Sequence, residues 1–298
     1  HSLPAPPEPS YRLVDLTGEF SAVAARTQDA GAAAQLAAFE TEIAPLFPEF
    51  YGQQRFPQMS QARYQARIVG AFAAFPAQRS AFERTAGAFA SMLEPAETSF
   101  RQAYPDMGEI GEVYLLHSLG EMDGGMRRFG DKVYFIFGAD VIARLHAPGS
   151  ERPFFHHELF HLYHSASFGG CAALWCSLWT EGLAVAAAHE LNPHASDAQL
   201  LLTQPEPIRP AVDAHLGEAV CAVRARLQSA DEADFAPLFM FERLNERLPP
   251  RFAYYVGYLA AREARRTHSM RELARMDAET ALATLQAGLS ALTDCAGN

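Results

Sequence analysis

The stretch from Pro153 to Gly170 constrains this chain more than any other. Phe154 and Phe155 lead into it, Leu159, Phe160 and Leu162 lie within it, and Gly169-Gly170 closes it. Proline at the entrance and glycine past the end punctuate a helix, expected over residues 154–167. Into this apolar helix the sequence sets His157, Glu158 and His161. A buried helix with unpaired His and Glu side chains is costly, so these groups need a metal ion or polar partners. Two histidines four residues apart share one helix face, one turn from each other, and can hold the same ion. Glu158 lies beside them, within reach of a water on that ion. Zinc acidifies such a water, and a carboxylate then takes its proton as general base. His157 and His161 are therefore the candidate metal ligands, and Glu158 the candidate catalytic base.

A second element follows. Trp179-Thr180-Glu181-Gly182-Leu183-Ala184 reads as the start of another helix, expected over 178–191 and stopped by Asn192-Pro193. Glu181 falls twenty residues after His161. The Gly169-Gly170 turn lets the two helices pack antiparallel, so a carboxylate in the first turn of the second can face the histidines. Alone, Glu181 would equally suit a helix N-terminus. Beside an HExxH helix it becomes the candidate third ligand.

HExxH, nineteen residues and then Glu resembles the gluzincin type of zinc metallopeptidase, whose best-known members are thermolysin-like. The run Trp-Thr-Glu-Gly-Leu-Ala is similar to bacterial families described as predicted Zn-dependent proteases. The match spans residues 154–191, or 38 of 298. This resemblance implies a zincin-like core, Zn2+ held by His157, His161 and Glu181, an open fourth position, and Glu158 as base and proton shuttle in peptide-bond hydrolysis. The sequence departs from the thermolysin pattern at Val185, where those enzymes often carry an aspartate that orients a histidine ligand. Asp140, His164, His189 or a backbone carbonyl would have to take that role.

Peptide hydrolysis also needs a group to steady the oxyanion. Tyr254 and Tyr258, four apart in Tyr254-Tyr255-Val256-Gly257-Tyr258, share a helix face and are the candidates; an aromatic core stripe is the alternative reading of the same segment. Arg251 and His215 are weaker ones. The resemblance further implies that the strand at 133–137 is a sheet edge that binds substrate by strand addition. A glycine-rich loop, 120–130, would flank the cleft or simply close a hairpin.

The expected fold class is α+β and mostly α-helical. Strands at 113–116 and 133–137 form a small antiparallel sheet packed beside the HExxH helix, and Ala139–Leu145 adds a helical turn. Helices are expected at 27–48, 60–73, 76–103, 210–229, 235–246, 251–266 and 270–292, the last opened by the capping box Ser269-x-x-Glu272. Two regions are expected: 1–104, an N-terminal tail and helical part, and 105–298, the catalytic part. The first ten residues, with four prolines, read as an extended tail.

Twenty-three of the 24 basic residues are arginine, and the net charge of -11 argues against a nucleic-acid partner. No apolar run reaches the length of a membrane span. The expected partner is a peptide or protein substrate; the sequence does not specify an oligomeric state. The four cysteines, Cys171, Cys176, Cys221 and Cys295, suit structural roles or disulfides better than a thiolate metal site. Together with a proline-rich start lacking methionine, they point to a periplasmic or secreted protein whose leader has been removed, with the cytoplasm as the alternative. Competing functions for the same residues are a zinc hydrolase of other amides or esters, and a catalytically silent zinc-binding protein.

Overall fold

The computed structural model describes residues 10–295, so the expected tail falls almost wholly outside the described residues. The chain is mostly helical with one small sheet, an α+β fold. It divides into two compact units. One holds the chain up to Glu94 together with Glu109–Gly149; the other holds Pro95–Gly108 and everything from Ser150. The expected division near residue 104 is thus replaced by one that groups the sheet with the N-terminal helices and apart from the HExxH helix.

The first unit begins with strand β1 (Tyr11–Asp15) and helices α1 (Thr17–Arg26), α2 (Ala32–Ala38) and α3 (Pro48–Tyr51). A π-helical turn, Phe39–Ile43, and a 3-10 turn, Ala44–Leu46, break the helix expected over 27–48. Next comes α4 (Gln61–Ala103), a single helix of 43 residues where two were expected. Pro76 and Pro95 lie inside it, although an internal proline removes a backbone hydrogen bond. Tertiary burial outweighs that loss. Tyr64, Ile68, Phe72, Phe75, Phe82, Phe89 and Leu93 form one buried stripe at helical spacing. Phe20 of α1 packs 5.1 Å from the rings of both Phe72 and Phe75.

The sheet is mixed, not antiparallel. Strand β2 (Gly111–Leu116) pairs in parallel with β1 and with β4 (Lys132–Gly138). The supposed glycine-rich loop contains a further strand, β3 (Gly124–Phe129), which forms the antiparallel hairpin with β4. The order β1-β2-β4-β3 makes β4 an interior strand, so the stretch expected as an edge at 133–137 pairs with β3 throughout and with β2 from Phe135 onward. This extra strand is why β2 and β4 point the same way. Helix α5 (Ala139–Leu145) follows as expected.

The second unit takes the end of α4 and then helices α6 (Arg152–Ser165), α7 (Leu174–Leu191), α8 (Arg209–Ala214), α9 (Leu216–Arg224), α10 (Glu232–Phe239), α11 (Ala253–Arg265), α12 (Met270–Ala274) and α13 (Ala278–Leu292). The Ser269–Glu272 capping box is present, but it opens only the short α12; Asp277 caps α13 separately. Residues 240–250, expected to be partly helical, are irregular. All four cysteines form disulfides, Cys171–Cys176 and Cys221–Cys295. Among the described residues, no helix is long and apolar enough to cross a membrane.

Helices α7 and α11 touch backbone to backbone. A Cβ built on Gly182 would lie 2.4 Å from the carbonyl carbon and oxygen of Gly257. One built on Gly257 would lie 2.7 Å from the carbonyl oxygen of Leu178. Since backbone cannot swing aside as a side chain can, Gly182→Ala should destabilise the protein by about 1–3 kcal/mol through overpacking. Gly70→Ala, in a helix with open space around it, should instead stabilise by about 0.5–1 kcal/mol. Denaturant midpoints of the two variants check the contrast.

Candidate metal centre

α6 carries His157, Glu158 and His161 as expected; its neighbour differs in an instructive way. α7 begins at Leu174, four residues earlier than expected, because its first amides find acceptors outside the helix. Leu174 N–H donates to the Ser229 carbonyl (2.8 Å) and Trp175 N–H to that of Leu227 (3.0 Å). Ala173 is extended, and the Cys171–Cys176 bridge closes the turn. Glu181 is therefore the eighth residue of its helix. Helix-dipole stabilisation of an acid fades beyond the first turn, so it does not account for a glutamate here.

α6 and α7 run antiparallel. Near one end, the Asn192 Nδ2 amide donates to His156 Nδ1 at 2.8 Å. Near the other, His164 stacks on Phe168, which in turn meets Trp175. Between these ends His157, His161 and Glu181 converge. His157 Nε2 and His161 Nε2 are 3.1 Å apart, and each lies 3.2 Å from Glu181 Oε2. This is the one group of three or more His, Cys, Asp or Glu ligand atoms among the described residues gathered closely enough to share an ion.

Hydrogens alone do not satisfy this triangle. If both Nε2 atoms carry protons, both donate to Glu181 and the 3.1 Å edge sets two N–H groups against each other. If only one does, the other nitrogen's lone pair faces the carboxylate oxygen at 3.2 Å, and if neither does, three acceptors face inward. A cation held between the three atoms would resolve the conflict. Nitrogen and oxygen ligands about 2.0–2.1 Å from a common tetrahedral centre lie about 3.3 Å apart, close to the edges observed. The spacing of the three atoms would therefore suit one shared ion.

Electrostatics follow from this packing. Burial works against a charge on His161, but Glu181, by charge and hydrogen bond, and Glu158, by charge, hold its pKa up at about 9. Burial likewise disfavours the Glu181 carboxylate, yet His161 and His157 bring it well below the usual range. His157 and Glu158 are both about 5 % exposed.

The two tyrosines part company. Burial raises the Tyr254 hydroxyl pKa first, and the charges of Glu181 and Glu158 raise it further, against the opposing effect of Arg251. Tyr254 therefore sits in the field of both carboxylates of the site. Tyr258 is buried, and its hydroxyl lies 2.6 Å from His189 Nδ1. His189 is eight residues beyond Glu181, about 12 Å along α7 at 1.5 Å per residue. The structure does not bring the Tyr258 hydroxyl to the triangle. Tyr255, between them, donates to Asp213 Oδ1 at 2.8 Å.

Other expected contributors are engaged elsewhere. Asp140 accepts from the Ser118 and Gly120 amides and from the Ser118 hydroxyl. His189 holds Tyr258. His164 is buried with neither ring nitrogen hydrogen-bonded, and burial followed by the charge of His161 lowers its pKa to about 3. None of the three orients a ligand imidazole. His156 pairs with the Ala96 carbonyl, Ser99 and Asn192, which makes it a pin between helices. His215 forms the joint between α8 and α9.

Sequence reasoning missed two features. The Gly182–Gly257 contact sets Glu181 beside the start of α11, and only the pairing of helices reveals it. Arg251, φ 64°, takes a left-handed backbone next to Tyr254; Pro249-Pro250 was the available signal of a special turn. No protein-family model, curated protein or solved structure matches this chain.

The metal-free triangle has a definite pH signature. His161 titrates about 9 when folded, above the ordinary 6.5 of an unfolded histidine, so its stabilising effect is complete below 6.5 and is lost as pH rises through 9. Glu181 is lowered, so its contribution is present above the ordinary 4.5 and fades in acid. Metal-stripped protein should therefore melt higher at pH 6 than at pH 9. His161→Ala should flatten that difference, as followed by thermal melts in chelator.

Proposed function

We propose that the protein is a zinc-dependent metallopeptidase of gluzincin type, with His157, His161 and Glu181 as ligands and Glu158 as general base. The observation that carries this reading is the closed triangle of two imidazole nitrogens and one carboxylate oxygen, with Glu158 next to His157 on the same helix. Its donor set, two nitrogens and an oxygen at tetrahedral spacing with a free vertex, suits zinc in a hydrolytic site. Zinc held there supplies a Lewis acid that acidifies water and polarises a substrate carbonyl.

The chain's own residues divide the remaining work. Glu158, buried and adjacent to His157, takes the proton of the attacking water and returns it to the leaving amine. Glu181 offsets the charge of the cation and holds both imidazoles in one orientation. Tyr254, its hydroxyl kept protonated by burial and by the two carboxylates, donates a hydrogen bond to the carbonyl oxygen as negative charge develops on it. Tyr258 is left to structure by its bond to His189.

The substrate in this reading is a peptide or protein, and the two disulfides fit a periplasmic or secreted setting.

Elemental analysis of gently purified protein should find one zinc per chain, removable by chelator with loss of peptide cleavage. Glu158→Gln should keep the zinc and lose about 10²–10⁴-fold in turnover, the range of general acid–base catalysis. Tyr254→Phe should keep the zinc and lose about 10²–10³-fold, as for one oxyanion donor, while Tyr258→Phe should reduce stability more than turnover. Undiminished turnover in Glu158→Gln would remove the base from the mechanism, and protein without bound zinc would remove the reading itself.

A further inference from the structure

Among the described residues, three that are not glycine have left-handed backbones: Leu119, Leu201 and Arg251, with φ of 57°, 63° and 64°. This region is disfavoured for any residue with a Cβ, and such residues gather where surrounding structure forces them. Two of the three meet. Arg251 Nη1 donates to the carbonyl oxygen of Leu201 at 3.3 Å and to that of Gln204 at 2.8 Å. One end of the guanidinium is thereby clamped by a loop that carries a strained residue of its own.

The rest of the group lies over Tyr254. The guanidinium carbon is 4.4 Å from the centroid of that ring. The ring also packs edge-on against Phe239, centroids 5.6 Å apart, and Phe239 is stacked in turn on Phe235. Tyr254 is thus held between an aromatic side chain and a fixed cation, while its hydroxyl feels Glu181 and Glu158. Glycine would adopt φ 64° without cost. What arginine adds at position 251 is the planar cation, and a planar cation clamped at one end stacks on an aromatic face in one orientation.

We propose that Arg251 is a positioning residue that acts through Tyr254. It fixes the ring so that the hydroxyl meets the developing oxyanion, and its charge makes that hydroxyl a stronger donor. This rests on the metallopeptidase reading, which makes Tyr254 the oxyanion donor. Arg251 itself touches neither substrate nor metal in this scheme. Its removal therefore acts on kcat and spares ground-state binding, because the interaction it supports is made only as charge develops.

The test compares zinc-loaded wild type with Arg251→Gly, Arg251→Ala, Arg251→Lys, Tyr254→Phe and the double variant Arg251→Gly/Tyr254→Phe on one peptide substrate. Arg251→Gly should keep one zinc per chain, lose about tenfold or more in kcat and leave KM within about twofold. Arg251→Lys, which restores the charge without the planar fork, should recover part of the loss. The double variant should be no slower than Tyr254→Phe alone, because both changes remove the same interaction. Arg251→Gly should also melt above Arg251→Ala, since only glycine relieves the left-handed backbone.

A kcat for Arg251→Gly within twofold of wild type overturns the proposal. So does a double variant whose losses multiply, which would mean that Arg251 acts independently of Tyr254. Failure of the wider reading looks different: zinc-loaded wild type then cleaves no peptide at all. In that event the contact is read from melting temperatures of Arg251→Gly, Tyr254→Ala and their double. Shifts smaller in sum than additive keep the Arg251–Tyr254 coupling, and additive shifts dismiss it.

Discussion

The contact between Gly182 and Gly257 is the constraint on which the site depends. Two helices approach until their backbones touch most readily where a glycine faces the partner, and here both faces carry one. At that crossing α7 presents Glu181 one residue before its glycine, and α11 presents Tyr254 one turn before its own. The same approach is repeated on the other side of α11, where a Cβ on Gly288 of α13 would lie 2.8 Å from the Ala260 carbonyl oxygen. α11 is therefore seated between α7 and α13, and a shift at either contact would move Tyr254 relative to both carboxylates.

Charge is the second constraint. α6 buries His157 and Glu158 among Phe154, Phe155, Leu159 and Phe160, where an isolated charge would be expensive. The two carboxylates meet this cost differently. Glu181 meets two imidazoles directly and is stabilised as an anion, which suits a permanent ligand. Glu158 is not part of the triangle and stands one residue from His157. The two acids are thus packed differently, as the proposed roles of ligand and base would require.

The candidate triangle was legible in the sequence because each part of it is a local rule. Four-residue spacing puts His157 and His161 on one face, glycines end α6, and an acid on the following helix faces back. Most helix positions were likewise legible from apolar spacing. What was not legible depended on contacts between distant residues. Pro76 and Pro95 suggested breaks that the aromatic stripe on α4 overrides. The glycines of 120–130 suggested a loop, yet pairing with β4 makes half of that stretch a strand and turns β2 parallel to β4. Tyr254 and Tyr258 are equivalent by spacing. Only the partner helices distinguish them, since His189 captures one hydroxyl and the other feels the charges of both carboxylates. Arg251 could be read as a cation, but its left-handed backbone appears only once the turn into α11 is built.

α7 is held along its whole length, and this bears on what the site can do. Its first amides donate to Leu227 and Ser229 carbonyls, beside the Cys171–Cys176 bridge. Its middle rests on Gly257. Its end is tied through Asn192 to His156, which also reaches the Ala96 carbonyl and Ser99 on the last turns of α4. Arg265 of α11 pairs with Glu190 near the same end. A carboxylate carried on such a helix has little freedom to shift. Such rigidity would suit the proposed centre, whose spacing would then be set before an ion binds. The same argument extends to Tyr254, which is fixed through Gly257 from one direction and through Arg251 from the other.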